Sequence, residues 1–95
     1  MPEQREQEDK LLTEPLTVKD LLVMTIISLE SKAWAYLDFI AHPETQKHKK
    51  DISEARLAID TIDVLFKMVE SYLSVDEKKD IQVRLTNLRL NFVKR

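Results

Sequence analysis

The absence of glycine is the feature that most constrains this chain. None of its 95 residues is glycine, whereas an average usage of about 7% would place several in a chain of this length. Glycine mainly serves turns, bulges and left-handed backbone positions, which β-hairpins need often and helices need rarely. Its absence therefore favours an all-α fold, and it excludes the glycine-rich loops that bind phosphate groups.

Cysteine is absent as well, and the charges nearly balance. Without cysteine there is no disulfide framework, no catalytic thiolate and no Cys-ligated zinc or iron–sulfur site. The chain carries 15 basic and 17 acidic residues, a net charge of −2. Such a chain has no overall field to attract nucleic acid or an anionic membrane. Composition therefore does not favour nucleic acid as a partner.

The most apolar stretch, residues 21–41, has about the length of a membrane span. Glu30 and Lys32 lie at its middle, however, and Asp38 lies near its end. A charge at the centre of a membrane helix costs roughly 2.5–3.5 kcal/mol on insertion scales, so no membrane span is expected. The first residues are also too polar and acidic for a signal or transit peptide. We therefore expect a cytoplasmic location.

Capping residues divide the chain into a tail and three helices. Residues 1–16 are polar and acidic, which predicts a flexible tail, and residues 17–95 form one helical domain. Thr17, Asp51 and Ser74 are N-cap residues, and each is followed three residues later by an acid that completes a capping pattern. The predicted helices cover residues 18–41, 52–73 and 75–93. The predicted architecture is a long N-terminal helix packed on an antiparallel helical hairpin.

The first helix is apolar on two sides. One stripe has the spacing of a core-facing surface and comprises Val18, Leu22, Ile26, Leu29, Ala33, Tyr36 and Ile40. A second stripe contains Val23, Ile27, Trp34 and Leu37. Two other helices of this size cover one face well, so the second stripe needs another partner. These four residues are therefore the candidate self-association surface, and they predict a homodimer.

The short link between the second and third helices predicts two ion pairs. An antiparallel hairpin that turns near Leu73 places Asp63 beside Arg84, and Asp60 near Arg89. We expect at least one of these pairs to form and to serve structure. Asp60, Asp63 and Glu70 also have the spacing of an acid–base or cation site, but no nucleophile accompanies them.

The remaining candidates for chemistry are weak. His42 and His48 with Glu44 resemble a surface metal site, but a solvated loop explains them better because a metal needs three or four ligands. The loop lysines and the basic end of the third helix are suited to phosphate contacts, but ordinary solvated faces and charges that complement the helix dipole explain them better. These basic residues comprise Lys47, Lys49, Lys50, Arg84, Arg89, Lys94 and Arg95. We predict no catalytic residue, metal or cofactor.

Three sequence patterns resemble one bacterial family. They are Pro43-Glu44-Thr45, the run Ala55-Arg56-Leu57-Ala58-Ile59-Asp60-Thr61-Ile62-Asp63-Val64-Leu65, and the run Leu88-Arg89-Leu90-Asn91-Phe92-Val93, with Leu73-Ser74 at the turn between the last two. In this order they resemble domain of unknown function 1844, over roughly residues 17–93. The resemblance implies a small helical cytoplasmic protein of bacteria and implies no activity. The family's loop glycine corresponds to Gln46, and its turn Gly-Asn corresponds to Ser71 and Tyr72. Both connections are therefore expected to form without an easy left-handed residue such as glycine.

These patterns predict a non-enzymatic interaction or structural module that self-associates. The alternative is an accessory protein that binds nucleic acid through the basic loop and the C-terminus. The two predictions differ in the salt dependence of binding, because phosphate contacts weaken steeply as salt rises.

Overall fold

The computed structural model describes residues 13–94. Within them lie three α-helices and no strand: α1 covers Val18–Tyr36, α2 covers Ile52–Val69 and α3 covers Val75–Lys94. A short 3₁₀ turn, Glu70–Tyr72, follows α2. The all-α arrangement of a first helix packed against the other two is confirmed. The predicted tail lies mostly outside the described residues, as does Arg95.

All three predicted N-terminal caps are present. The Thr17 hydroxyl accepts a hydrogen bond from the backbone N–H of Asp20 at 3.0 Å, and the Asp51 carboxylate accepts from the N–H of Glu54 at 3.2 Å. Ser74 and Glu77 form a reciprocal capping box, with each side chain accepting from the other's backbone N–H. These bonds satisfy donors that the first helical turn leaves without partners.

The core lies where the three helices meet. Its buried side chains come from all three helices, from the residue directly after α1 and from the residue directly after the 3₁₀ turn. They are Ile26, Ala33, Leu37, Ala55, Ala58, Ile59, Ile62, Phe66, Val69, Leu73, Ile81, Leu85 and Leu88. Apart from Ala58, which adjoins Ile59, the core residues of α2 and α3 recur at intervals of three and four, the period of one helical face. This spacing in the sequence is therefore a signal for the core.

Helix α1 ends at Tyr36, five residues before the predicted end at residue 41. Asp38 adopts a left-handed backbone with φ 72°. Its N–H donates to the carbonyl of Ala35, and the N–H of Phe39 donates to the carbonyl of Trp34, both at 3.0 Å. This is a Schellman motif, and the edge-to-face contact of Phe39 with Trp34 at 5.2 Å supplies its apolar component. Helix α1 therefore ends in a motif whose left-handed position, usually occupied by glycine, is occupied by Asp38.

Gln46 is the second left-handed residue, with φ 59°. Its N–H donates to the carbonyl of His42 at 2.8 Å, and its side-chain amide donates to the carbonyl of Pro43 at 2.9 Å. The family's loop glycine corresponds to this residue, so the turn keeps a glycine-like backbone without glycine. This connection therefore forms without an easy left-handed residue, because Gln46 itself takes the left-handed backbone. Among residues 13–94, the connection between α2 and α3 contains no residue with positive φ.

The left-handed backbone of Gln46 leads to a prediction about substitutions. A β-branched side chain disfavours this conformation, so Gln46→Val is expected to lower the free energy of unfolding by about 1–2 kcal/mol. Gln46→Gly relieves the strain but makes the unfolded chain more flexible, so it should stay within about 1 kcal/mol of the wild type. Urea unfolding followed by circular dichroism measures both. A valine variant as stable as the glycine variant would contradict a left-handed position 46.

The capping carboxylates predict a loss of stability in acid. Hydrogen bonds from Ser74 hold the pKa of Glu77 below its ordinary value of 4.5. The pKa of Asp51 is likewise held below 3.8 by hydrogen bonds from Ser53 and Glu54. The folded chain therefore binds fewer protons than the unfolded chain near these values, and the stabilisation is present above about pH 4.5 and is lost as the pH falls through the lowered pKa values.

Urea unfolding of the wild type and of Glu77→Gln at pH 7 and pH 3 tests this effect. Glutamine keeps a side-chain oxygen that accepts the capping hydrogen bond but does not ionise. The free-energy difference between the two proteins should therefore be larger at pH 7 than at pH 3. An equal difference at both pH values would show that ionisation of Glu77 does not stabilise the fold.

Candidate functional site

An exposed apolar surface runs along one side of the α1–α2 pair. We call it the α1–α2 face and define it by six exposed residues: Val18, Leu21, Leu57, Val64, Met68 and Tyr72. In α1, residues 21–29 contain no charged side chain on any side of the helix. In α2, Leu57, Val64 and Met68 are spaced seven and four residues apart, so they lie in one row. This row is distinct from the core row of α2.

Two open clefts show that residues from both helices meet on this face. Val18 and Leu22 of α1 line the first cleft, of 420 Å³, with Met68 and Tyr72. The second cleft, of 300 Å³, lies between Leu29 on α1 and Leu57 and Thr61 on α2. The α1–α2 face is therefore a grooved apolar surface along the antiparallel helix pair.

The third helix covers the opposite side of this helix pair, and the ion pairs lie there. Arg84 of α3 reaches Glu30 of α1 at 2.6 Å, and Arg89 reaches Asp63 of α2 at 3.0 Å. Lys19 borders the first cleft, but its ammonium group pairs with Glu77 of α3 at 3.5 Å. The side that α3 covers therefore carries ion pairs that join α3 to both other helices.

The predicted ion-pair register is wrong in detail. Neither Asp63–Arg84 nor Asp60–Arg89 forms. Arg89 instead pairs with Asp63, so an acid–arginine pair does cross the hairpin, while Asp60 lies 3.8 Å from Arg56 on its own helix. The prediction treated α3 as the partner of α2 alone. Because α3 packs against both other helices, Arg84 lies on the flank that faces α1, where Glu30 is its partner.

The four predicted self-association residues do not form one exposed surface. Leu37 is a buried core residue, so its assignment to a self-association surface is wrong. Val23 and Trp34 are partly buried against the same core, and the indole N–H of Trp34 donates to Glu30 at 3.4 Å. Ile27 alone remains exposed. The side of α1 that was predicted to need a partner is largely covered within the chain, because α3 and the turn after Tyr36 pack there.

His42 is buried, contrary to the prediction of a solvated loop. Its ring is only 5% exposed and packs edge-on against Tyr36 at 4.4 Å. Nε2 lies 2.8 Å from the carbonyl oxygen of Lys49, which only accepts, so Nε2 carries the proton. Nδ1 is then the acceptor for the Lys32 ammonium group, also at 2.8 Å.

The same ammonium group holds the loop to the end of α1. Lys32 donates to the Glu44 carboxylate at 2.8 Å, and this bond lowers the pKa of Glu44. Lys32 also lies over the Tyr36 ring, 4.9 Å from its centre, as in a cation–π contact. The cluster of Lys32, Tyr36, His42 and Glu44 is thus internally bonded. The histidine followed by Pro-Glu-Thr is the sequence signal for this cluster, but the pattern alone does not reveal its burial.

Residues 13–94 contain no group of three or more potential metal ligands among their His, Asp and Glu side chains. No helix in this range is both long enough and apolar enough to cross a bilayer.

Comparison with known proteins identifies the family. No curated protein matches the chain. No solved structure matches it. One family model, described as Domain of unknown function (DUF1844), matches residues 19–94, which include all of α2 and α3 and nearly all of α1. The left-handed Gln46, where the family pattern has glycine, fits this match. The chain therefore belongs to the DUF1844 family.

Proposed function

We propose that this chain is a non-enzymatic interaction module of the bacterial cytoplasm that self-associates as a homodimer. The observation that supports it is the exposed apolar α1–α2 face. Monomeric proteins rarely expose contiguous apolar patches larger than a few hundred Å², and larger patches mark interaction sites. A domain of this size also has a limited core, and association of two copies adds buried apolar area.

Sedimentation equilibrium of the 95-residue chain at micromolar concentration tests this proposal. The expected mass is twice the 11.2 kDa of one chain, and dilution should shift the distribution towards the monomer. A single monomeric species over the whole concentration range would contradict self-association.

A second candidate function, binding to nucleic acid, draws support from the fold. A cleft lined by Arg56, Arg89 and Val93 indicates that the end of α3 lies beside the start of α2. The exposed Lys47, Lys49 and Lys50 immediately precede α2. Basic side chains from the loop and from the C-terminal part of α3 therefore share one end of the bundle.

Titration of a labelled oligonucleotide at several salt concentrations tests this candidate. Binding through phosphate contacts should weaken steeply as the salt concentration rises. Lys49→Glu should weaken the binding further, whereas Lys67→Glu, at the other end of α2, should have little effect. Absence of salt-dependent binding would eliminate this function.

A further inference from the structure

We infer that the α1–α2 face is the surface on which a second copy of this chain docks. The α1–α2 pairs of the two copies then pack face to face as an intermolecular four-helix arrangement of two layers. This inference rests on the proposed self-association and specifies its interface. It differs from the sequence-based prediction, which assigned the interface to Val23, Ile27, Trp34 and Leu37.

Charge is the first argument for a second copy as the occupant. In a two-fold symmetric interface the same patch of both copies meets, so like charges near the axis face each other at a cost. The six residues of the α1–α2 face carry no charge. Three charged residues border the two clefts, namely Lys19, Lys32 and Glu54. Both lysines already have acidic partners, because Lys19 pairs with Glu77 and Lys32 is bonded to Glu44. This face therefore meets its own copy without electrostatic conflict.

The available area is the second argument. Helix α1 has 19 residues, which corresponds to a length of about 28 Å. Two adjacent helices present a width of about 18–20 Å. The face thus offers roughly 500 Å² per copy, and two copies together bury about 1,000 Å², which is the lower bound for a specific interface.

The shape of the face is the third argument for a second copy. The N-terminal tail of the same chain is a less suitable occupant of this face. The clefts of 420 and 300 Å³ lie between side chains that protrude beside them, including Met68 and Leu57. Helices that pack face to face insert such side chains into the hollows of the partner. Residues 1–12 supply only Met1, Leu11 and Leu12 as apolar side chains, too few to fill a face of this area.

A pair of lysine substitutions tests the location of the interface. Val64 on the face is 56% exposed, and Val83 on α3 is 51% exposed, so both substitutions introduce an ammonium group at similar solvent exposure. Val64→Lys should raise the dissociation constant of the dimer by about 100-fold, because each copy buries the new charge. Val83→Lys should leave the constant within about threefold of the wild type. Circular dichroism of both variants shows whether the helices are retained.

The outcomes separate this inference from the proposed function. If the wild type is monomeric, the result contradicts both the proposed self-association and this inference. A dimeric wild type with a Val64→Lys variant that stays dimeric leaves self-association intact and overturns the α1–α2 face. Equal dissociation constants for the Val64→Lys and Val83→Lys variants, both above the wild-type value, also overturn the α1–α2 face. The effect would then not depend on where the charge is introduced.

Cross-linking supplies a second readout that does not depend on destabilising the dimer. The chain has no cysteine, so one introduced thiol is unique. Met68→Cys treated with a short bismaleimide linker should yield covalent dimers, whereas Val83→Cys should yield few. Cross-linking of the Val83→Cys variant without that of the Met68→Cys variant would place the interface on α3 and overturn the inference.

Discussion

Leu88→Ala is expected to lower the free energy of unfolding by about 3–4 kcal/mol. The Leu88 side chain is fully buried in the middle of α3 and belongs to the core. Its truncation removes buried apolar surface and leaves a cavity that the packed helices fill only in part. A domain of 95 residues has a total stability of about 5–14 kcal/mol. The substitution should therefore remove a large share of the stability.

Leu90→Ala is the matched control for this core substitution. Leu90 lies on the same helix two residues later and is 51% exposed, so its truncation should cost less than about 1 kcal/mol. Urea unfolding of both variants, at one protein concentration because dimerisation shifts apparent stability, gives the comparison. Equal losses for the two variants would mean that α3 is rotated relative to the orientation described.

Local sequence signals predicted most of the fold. Each helix start was predicted because the cap residue and its bonded neighbour lie three positions apart in the chain. The core rows of α2 and α3 can be identified from the sequence because their spacing repeats with the helical period. The end of α1 was not, because it depends on Asp38 in a left-handed conformation and on Phe39 reaching back to Trp34. Aspartate tolerates that conformation but does not require it.

The candidate site required information that the sequence pattern does not contain. The apolar residues around α1 indicated correctly that more than one side is suited to contact. Which side remains open depends on where α3 packs, and its position determines the partners of Arg84 and Arg89. Because α3 covers the side of Val23 and Trp34, the open surface is the opposite one, between α1 and α2. The residues of α2 that complete this surface, Leu57, Val64 and Met68, lie off the core row, and their spacing alone does not show that they stay exposed.

His42→Ala is expected to lower the free energy of unfolding by about 2–3 kcal/mol. The substitution removes both ring nitrogens, so the Lys49 carbonyl loses a donor and the Lys32 ammonium group loses an acceptor near the core. It also removes the ring that packs on Tyr36. Because His42 joins the end of α1 to the loop before α2, we expect amide hydrogen exchange to increase most in residues 42–50.

His48→Ala provides the control in the same loop. His48 is exposed and contacts the Asp38 carboxylate at 3.0 Å, and an exposed pair of this kind contributes only about 0–1 kcal/mol. Comparing the stability losses of the two variants therefore distinguishes the effect of burial from the effect of a position in this loop. If both substitutions cost the same, His42 does not hold the loop to α1. A His42→Gln variant of intermediate stability would support the bonding, because its amide retains one donor and one acceptor but only part of the ring packing.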